Sequence, residues 1–255
     1  MLFRSGFSGG FGLLSIPPLD LKQVELIKGS ASTLYGGGAI GGLINLISKK
    51  PSVEGEHVFT INQTTLDETN LNSFFSKRKN KWGYTLYAGY TIAKAKDVNG
   101  DGFSDVSKVK SIVIHPRLFW YPNVSTKLMV GYTSINETRT GGDVQAIAGV
   151  KDLNHPFFET NNISRNSGEF SLEKKLSDKN QFIVKSSLSE FGRTITTNSH
   201  LFKGDQLNYY GEVSMVSRGI KSNWVNGVNV VGNRFRVLGG DPVLIGNVEN
   251  NTIGL

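Results

Sequence analysis

Residues 82–92 read WGYTLYAGYTI and alternate between two kinds of position. Apolar side chains from Trp82 to Ile92 occupy the even positions, whereas Gly83, Thr85 and Thr91 stand among the odd ones. A period of two with one apolar face predicts a β-strand, because successive side chains of a strand point to opposite faces.

The same alternation recurs along most of the chain. It predicts eight further strands, and a tenth that begins near Thr252. The eight strands lie at residues 58–66, 71–78, 112–121, 124–132, 169–176, 181–191, 207–216 and 223–231. Pro116 falls on the apolar face of its segment, so we expect a bulge or an unpaired position there. The sequence therefore predicts an all-β chain.

Composition excludes several classes of protein. The 255 residues include 30 Gly and no Cys, with 10% aromatic and 19% charged residues. Without Cys there is no disulfide scaffold, the aromatic content is too high for a disordered chain, and no apolar run reaches the ~18 residues of a membrane helix. The four His are scattered, so neither a zinc site nor a nucleophile–base pair is expected, and we predict no enzyme.

The formal net charge of +7 invites a nucleic-acid interpretation. Its densest basic run, residues 77–81, lies at a predicted turn, and no helix-turn-helix or RNA-binding motif is present. A solvated turn is the favoured interpretation, and we expect no nucleic-acid partner.

The predicted connections alternate in length. Short turns at 79–81, 122–123, 177–180 and 217–221 alternate with long connections at 93–110, 136–165, 192–206 and 234–251. Aromatic residues gather near the short turns, namely Trp82, Trp120, Tyr121, Phe182 and Trp224. Both features are typical of a transmembrane antiparallel β-barrel with aromatic girdles, and a soluble β-sandwich is the alternative.

A Gly-rich motif precedes the strands. Residues 24–50 read VELIKGSASTLYGGGAIGGLINLISKK, in which Gly36, Gly38 and Gly41 match the dinucleotide spacing GxGxxG. That match is weak, because a short β-like run follows the glycines instead of a helix, and no Gly-Lys-Ser/Thr signals a P-loop.

The whole stretch resembles the end of the plug domain of TonB-dependent outer-membrane transporters. The resemblance rests on Glu25, Lys28, Gly29, Ser30–Thr33, Tyr35, Gly36, 39–42, Leu43–Ile47 with Asn45, and Lys49. It implies the C-terminal part of a small α+β plug over residues 1–51. Residues 52–255 would then be the first nine to ten strands of a 22-stranded outer-membrane barrel.

The resemblance also implies function. In this family the TonB complex pulls an N-terminal box and shifts the plug, which admits a ferric siderophore, haem or cobalamin across the outer membrane. Glu25 and Lys28 would pair with barrel carboxylates, for which Glu169, Glu173 and Glu212 are possible partners. We therefore expect three partners: the TonB complex, an iron-siderophore or cobalamin-like ligand, and outer-membrane lipid of a Gram-negative bacterium.

The chain has too few strands for the family's barrel, so we interpret it as a fragment of a transporter. Glycan importers of the SusC type carry a Ser-Arg-Gly-Ala-Asn-Gly variant of the plug motif, whereas this chain has Gly-Gly-Ala-Ile-Gly-Gly at 37–42. The remaining alternatives are a SusC-type importer, a surface β protein without transport, and a gene remnant.

Two loops carry further candidate sites. Residues 97–105 read DVNGDGFSD and match part of a calcium loop through Asp97, Asn99, Asp101 and Asp105, with Lys108 where Glu is required. An Asn-Gly/Asp-Gly turn without an ion is the alternative, and no other cofactor is expected. The candidate ligand contacts are Phe7, Phe11, Arg139 and Asp143.

Overall fold

The computed structural model describes residues 18–28, 43–150, 152, 154–155, 157–240 and 246–254. Two antiparallel sheets account for most of these residues. The small sheet pairs β1 (Leu21–Ile27) with β2 (Leu43–Ser48), after a short 3-10 helix at Pro18–Asp20. None of the described helices has the length and apolar character needed to cross a membrane.

The large sheet contains ten strands in simple up-and-down order, and each pairs with its sequence neighbours. Its strands are β3 (Glu56–Gln63), β4 (Glu68–Lys79), β5 (Trp82–Ala93), β6 (Lys108–Asn123), β7 (Thr126–Gly142), β8 (Phe158–Lys175), β9 (Asn180–Thr197), β10 (Leu201–Arg218), β11 (Asn223–Gly239) and β12 (Val248–Gly254). A five-residue helix, α1 (Val144–Ala148), lies between β7 and β8. The all-β antiparallel prediction is confirmed.

The four short turns join strands at one end of the sheet, as predicted. At the β4–β5 turn, Asn80 adopts a φ of 53°, a left-handed conformation that Asn tolerates in tight hairpins. Beside this turn the indole rings of Trp82 and Trp120 stack with centroids 5.7 Å apart on the exposed face.

At the opposite end, one of the four expected long connections is wrong. The connections 94–107 and 143–157 are long, but 198–200 is a three-residue turn, because β9 and β10 continue as a hairpin far beyond their apolar segments. The added strand residues are mainly polar, so hydrophobic alternation could not reveal them.

Pro116 causes no bulge. The register of β6 with β7 is the same at Ile114–Ser134 and at Arg117–Gly131, and between these two pairs the pairing with β7 lapses at His115 and Pro116. The unpaired position is therefore the correct alternative, because Pro has no N–H to donate to the ladder.

The two faces of the large sheet have reversed polarity compared with a soluble protein. Its exposed face carries Ile112, Ile114, Leu118 and Trp120, whereas its buried face carries many polar side chains beside an apolar cluster. The buried polar residues of this face are Ser76, Thr85, Ser111, Arg117, Thr133, Glu137, Asn161, Arg165, Ser167, Gln206 and Ser214. An apolar outside and a polar inside are the pattern of a membrane barrel wall.

Candidate functional site

Residues Leu19 and Asp20 join the N-terminal segment to the buried face of the large sheet. Leu19 packs against the buried cluster of Phe74, Tyr87, Val113 and Ile135. Asp20 follows it and is only 2% exposed. An isolated buried carboxylate is costly, so its partners determine whether this contact is favourable.

Asp20 is held by two basic residues of β6. Arg117 Nη2 donates to Asp20 Oδ1, and His115 Nδ1 lies 2.9 Å from Asp20 Oδ2 in the geometry of an ion pair rather than a hydrogen bond. Arg117 and His115 share the buried face of β6 because they are two residues apart. We call Asp20, His115 and Arg117 the junction cluster.

Further contacts orient the guanidinium of Arg117. Its Nε donates to Thr85 Oγ1 at 3.1 Å, and its Nη2 also donates to the Lys49 carbonyl at 3.1 Å. The Lys49 amide in turn donates to the Asp20 carbonyl at 2.7 Å. Arg117 therefore contacts the residues that flank the small sheet. These are Asp20, which directly precedes β1, and Lys49, which directly follows β2.

Gly131 makes room for this arrangement. It lies between Arg117 and Glu169 in one cross-strand row. A Cβ at this position would come within 2.8 Å of Arg117 Cγ and 2.5 Å of Glu169 Oε1. Glu169 can thus extend to within 3.5 Å of His115 Nε2.

Glu25 and the three barrel carboxylates proposed as its partners each contact other residues in this structure. Glu25 accepts hydrogen bonds from Gln23 and Asn45, both at 2.9 Å and both within the small sheet. The barrel carboxylates proposed as partners pair with basic residues of the large sheet, namely Glu169 with His115, Glu173 with Lys127 and Glu212 with Lys185.

Several motif residues remain untested. Lys28 is exposed and makes no ion pair with the described residues. Gly29, Tyr35, Gly36, Gly41 and Gly42 lie outside the described residues, and so do Phe7 and Phe11. The roles predicted for these residues, and the domain boundary at Pro51, stay predictions.

The candidate ligand contacts Arg139 and Asp143 already have partners in the structure. Arg139 Nε lies 2.5 Å from Glu137 Oε1 on the buried face of β7. Asp143 caps α1 by accepting from the amides of Gln145 and Ala146. A ligand role for either residue stays a prediction.

The predicted calcium loop is held by its own backbone. Asp97 accepts from the amides of Gly100 and Gly102 at 2.7 and 2.8 Å, and Asp105 accepts from those of Val98 and Asn99. The Gly102 amide, chiefly, holds the pKa of Asp97 below its usual range. Within the described ranges no three His, Asp or Glu side chains are grouped to hold a metal. Calcium binding stays a prediction.

His155 should make the loop after β7 sensitive to pH. Its Nδ1 lies 2.8 Å from Asp143 Oδ2, and this hydrogen bond raises the pKa of His155 and lowers that of Asp143. Because the pKa of His155 is raised in the folded state, its pair with Asp143 stabilises the loop fully at pH values below about 6.5, the ordinary pKa of His. This stabilisation is lost as the pH rises through the pKa of His155 in the folded state. We expect α1 to be less protected from hydrogen exchange at pH 8 than at pH 6, after correction for intrinsic rates. His155→Gln should remove this difference, and an unchanged difference in the variant would refute the assignment.

Comparison with known proteins places these features in a family. Residues 2–43 match the model of the TonB-dependent receptor plug domain. The chain is 27% identical to the ferrioxamine receptor of Yersinia enterocolitica over 54% of its own length and 19% of that protein. It is 29% identical to the ferrichrome outer membrane transporter/phage receptor of Escherichia coli, over 59% of its own length and 21% of that protein. These matches support a fragment of a TonB-dependent outer-membrane receptor.

Comparison with solved structures supports the same fold. The closed form of the ferric-catecholate import receptor Fiu from E. coli superposes with a TM-score of 0.67 at 14% identity, over 90% of this chain and 38% of that one. The ten-stranded sheet thus has the fold of a section of that receptor's barrel wall. The chain spans about a fifth of the length of the curated relatives it matches.

The sequence analysis did not identify the junction cluster. His115 and Arg117 are polar residues opposite the apolar face of their strand, and Asp20 lies outside the Gly-rich motif at 24–50. Two basic residues on the inner face of a barrel strand were the available signal, and their acidic partner could not be inferred from spacing.

Proposed function

We propose that this chain is the plug-to-wall segment of an importer that carries a ferric siderophore across the outer membrane of a Gram-negative bacterium, driven by the TonB complex. This proposal rests on the contact of Asp20 with Arg117 and His115 on the inner face of the wall. A transported ligand needs a lumen that is closed at rest, and this contact attaches the N-terminal segment to the lumen side.

The polar inner face supports a plug that can move. Thr85 and Thr133 are buried there, and Lys127 pairs with Glu173 at 2.7 Å on the same face. Polar contacts can exchange with water when the plug shifts, whereas a large apolar interface would lose its burial free energy. The junction cluster then adds a specific polar attachment beside the apolar contact of Leu19.

The ligand class follows from the relatives. The two sequence relatives described above are receptors for ferrioxamine and ferrichrome, which favours a siderophore over a glycan, haem or cobalamin. A receptor of this family is not expected to be an enzyme.

Uptake by the full-length receptor tests this function. We would express it in a Gram-negative strain that lacks its own siderophore receptors, and measure uptake of radioactive iron as ferrioxamine and as ferrichrome. Uptake of at least one complex that is abolished by deleting TonB is the expected result. Uptake of cobalamin or an oligosaccharide but of neither iron complex would overturn the ligand class, and uptake unaffected by deleting TonB would overturn the mechanism.

A further inference from the structure

A cluster of exposed basic side chains lies at the short-turn end of the large sheet. Eight exposed cations lie on or beside three of the four short turns: Lys77, Lys79, Lys81, Lys174, Lys175, Lys179, Arg218 and Lys221. We call this set the basic rim. The exposed carboxylates near it are Glu54 and Asp178, so the eight cations and two carboxylates have a net charge of +6. The formal net charge of the whole chain is +7.

The cations of the basic rim lack acidic partners among the described residues. Several basic side chains elsewhere on the sheet are paired, as in Lys127–Glu173, Lys185–Glu212 and Arg236–Asp205. No described ion pair includes a residue of the basic rim. Clustered cations without internal partners repel one another, so the rim costs free energy unless an external anion neutralises it.

The basic rim adjoins the lipid-facing aromatic residues. Lys79 lies directly opposite Trp82, Lys77 opposite Tyr84, and Lys174 opposite Phe182 on neighbouring strands. Trp82 and Tyr84 are 53% and 43% exposed. A Lys beside an interfacial aromatic residue can lay its alkyl chain along apolar surface and extend its ammonium group to the headgroup level.

We infer that the basic rim binds the acidic headgroups of glycerophospholipids in the leaflet at the short-turn end. The rim extends from β4 to β11, seven strand spacings or about 34 Å, which is too wide for one small anion but suits a row of lipid headgroups. Anionic leaflets attract such basic segments. The inference goes beyond import, and it rests on the proposed location in the outer membrane.

Phosphatidylglycerol binding by the full-length receptor tests this inference. The test variant is Lys77→Gln, Lys79→Gln and Lys174→Gln together, and the matched control is Lys108→Gln, Lys110→Gln and Lys203→Gln, which removes three exposed cations at the opposite end. Titration of detergent-solubilised receptor with phosphatidylglycerol, followed by native mass spectrometry, should give roughly tenfold to hundredfold weaker binding for the test variant only. Replacing the same three lysines by Arg should preserve binding, because the charge is kept.

Four outcomes would overturn the inference: equal binding by test and control variants, loss of binding in the Arg variant when that variant is folded, equal binding of phosphatidylcholine, or displacement of the lipid by millimolar inorganic phosphate. Heat-modifiable migration in gels confirms that each variant is folded.

Iron uptake by the same proteins separates the two proposals. A wild-type receptor that transports but shows no preference for phosphatidylglycerol refutes only the lipid inference, and a wild-type receptor that binds the lipid but transports nothing refutes only the import function.

Discussion

Replacing Asp20 by Asn should detach the N-terminal segment from the barrel wall. The substitution removes the negative charge that two basic residues contact, and leaves Arg117 buried with 6% of its side chain exposed. Removal of one partner from a buried ion pair costs about 3–5 kcal/mol, because the remaining charge is neither hydrated nor compensated. The cost falls on the contact between the two sheets, so the wall itself should remain folded.

Hydrogen exchange in the full-length receptor measures this effect. We expect the amides of β1 and β2 to lose about 10²–10⁴-fold of their protection, while those of β8 and β9 keep theirs. Asp178→Asn is the matched control, because it removes the same group from an exposed turn. Equal protection in the two variants would show that Asp20 does not hold the segment.

A double-mutant cycle assigns the effect to the pair. Arg117→Gln alone should also lower protection of β1 and β2, and the combination of Asp20→Asn with Arg117→Gln should cost less than the sum of the single changes. Additive costs would mean that the two side chains act independently.

An Arg at position 114 should prevent stable assembly of the wall. Ile114 is 43% exposed on the apolar face of β6, six residues from Trp120 at the aromatic level. Six residues span ~20 Å along a strand, or ~15 Å along the membrane normal at a tilt of about 40°, which places Ile114 near the middle of the apolar band. A charged side chain there costs about 2–4 kcal/mol.

The folded fraction of the full-length receptor in outer-membrane preparations measures this cost, by its heat-modifiable migration in gels. Thr138→Arg is the matched control, because Thr138 lies on the same face opposite Lys110, where the chain already carries a cation. We expect a much reduced folded fraction for Ile114→Arg and little change for the control. Full assembly of Ile114→Arg would argue against lipid contact at this face.

Neighbouring residues of β6 show why the sequence predicted the wall well. Arg117 is buried and paired on the inner face, whereas Leu118, the next residue, is 51% exposed on the outer face. This alternation is a local property of an extended chain, so strand identity and the apolar face could be predicted from sequence. The polar ends of β9 and β10 were missed because both of their faces are polar there and give no alternation.

The sequence by itself determined the strands, the short turns, the apolar face and the plug motif, since each depends on residues that are close in the chain. Only the tertiary structure decided which charges meet. Asp20 and Arg117 are 97 residues apart, and their contact depends on the register of β5, β6 and β7 and on the space above Gly131. The plug motif pointed to Glu25, but Glu25 is satisfied within its own small sheet. The contact with the wall is therefore made by Asp20, the carboxylate that the fold places beside Arg117 and His115.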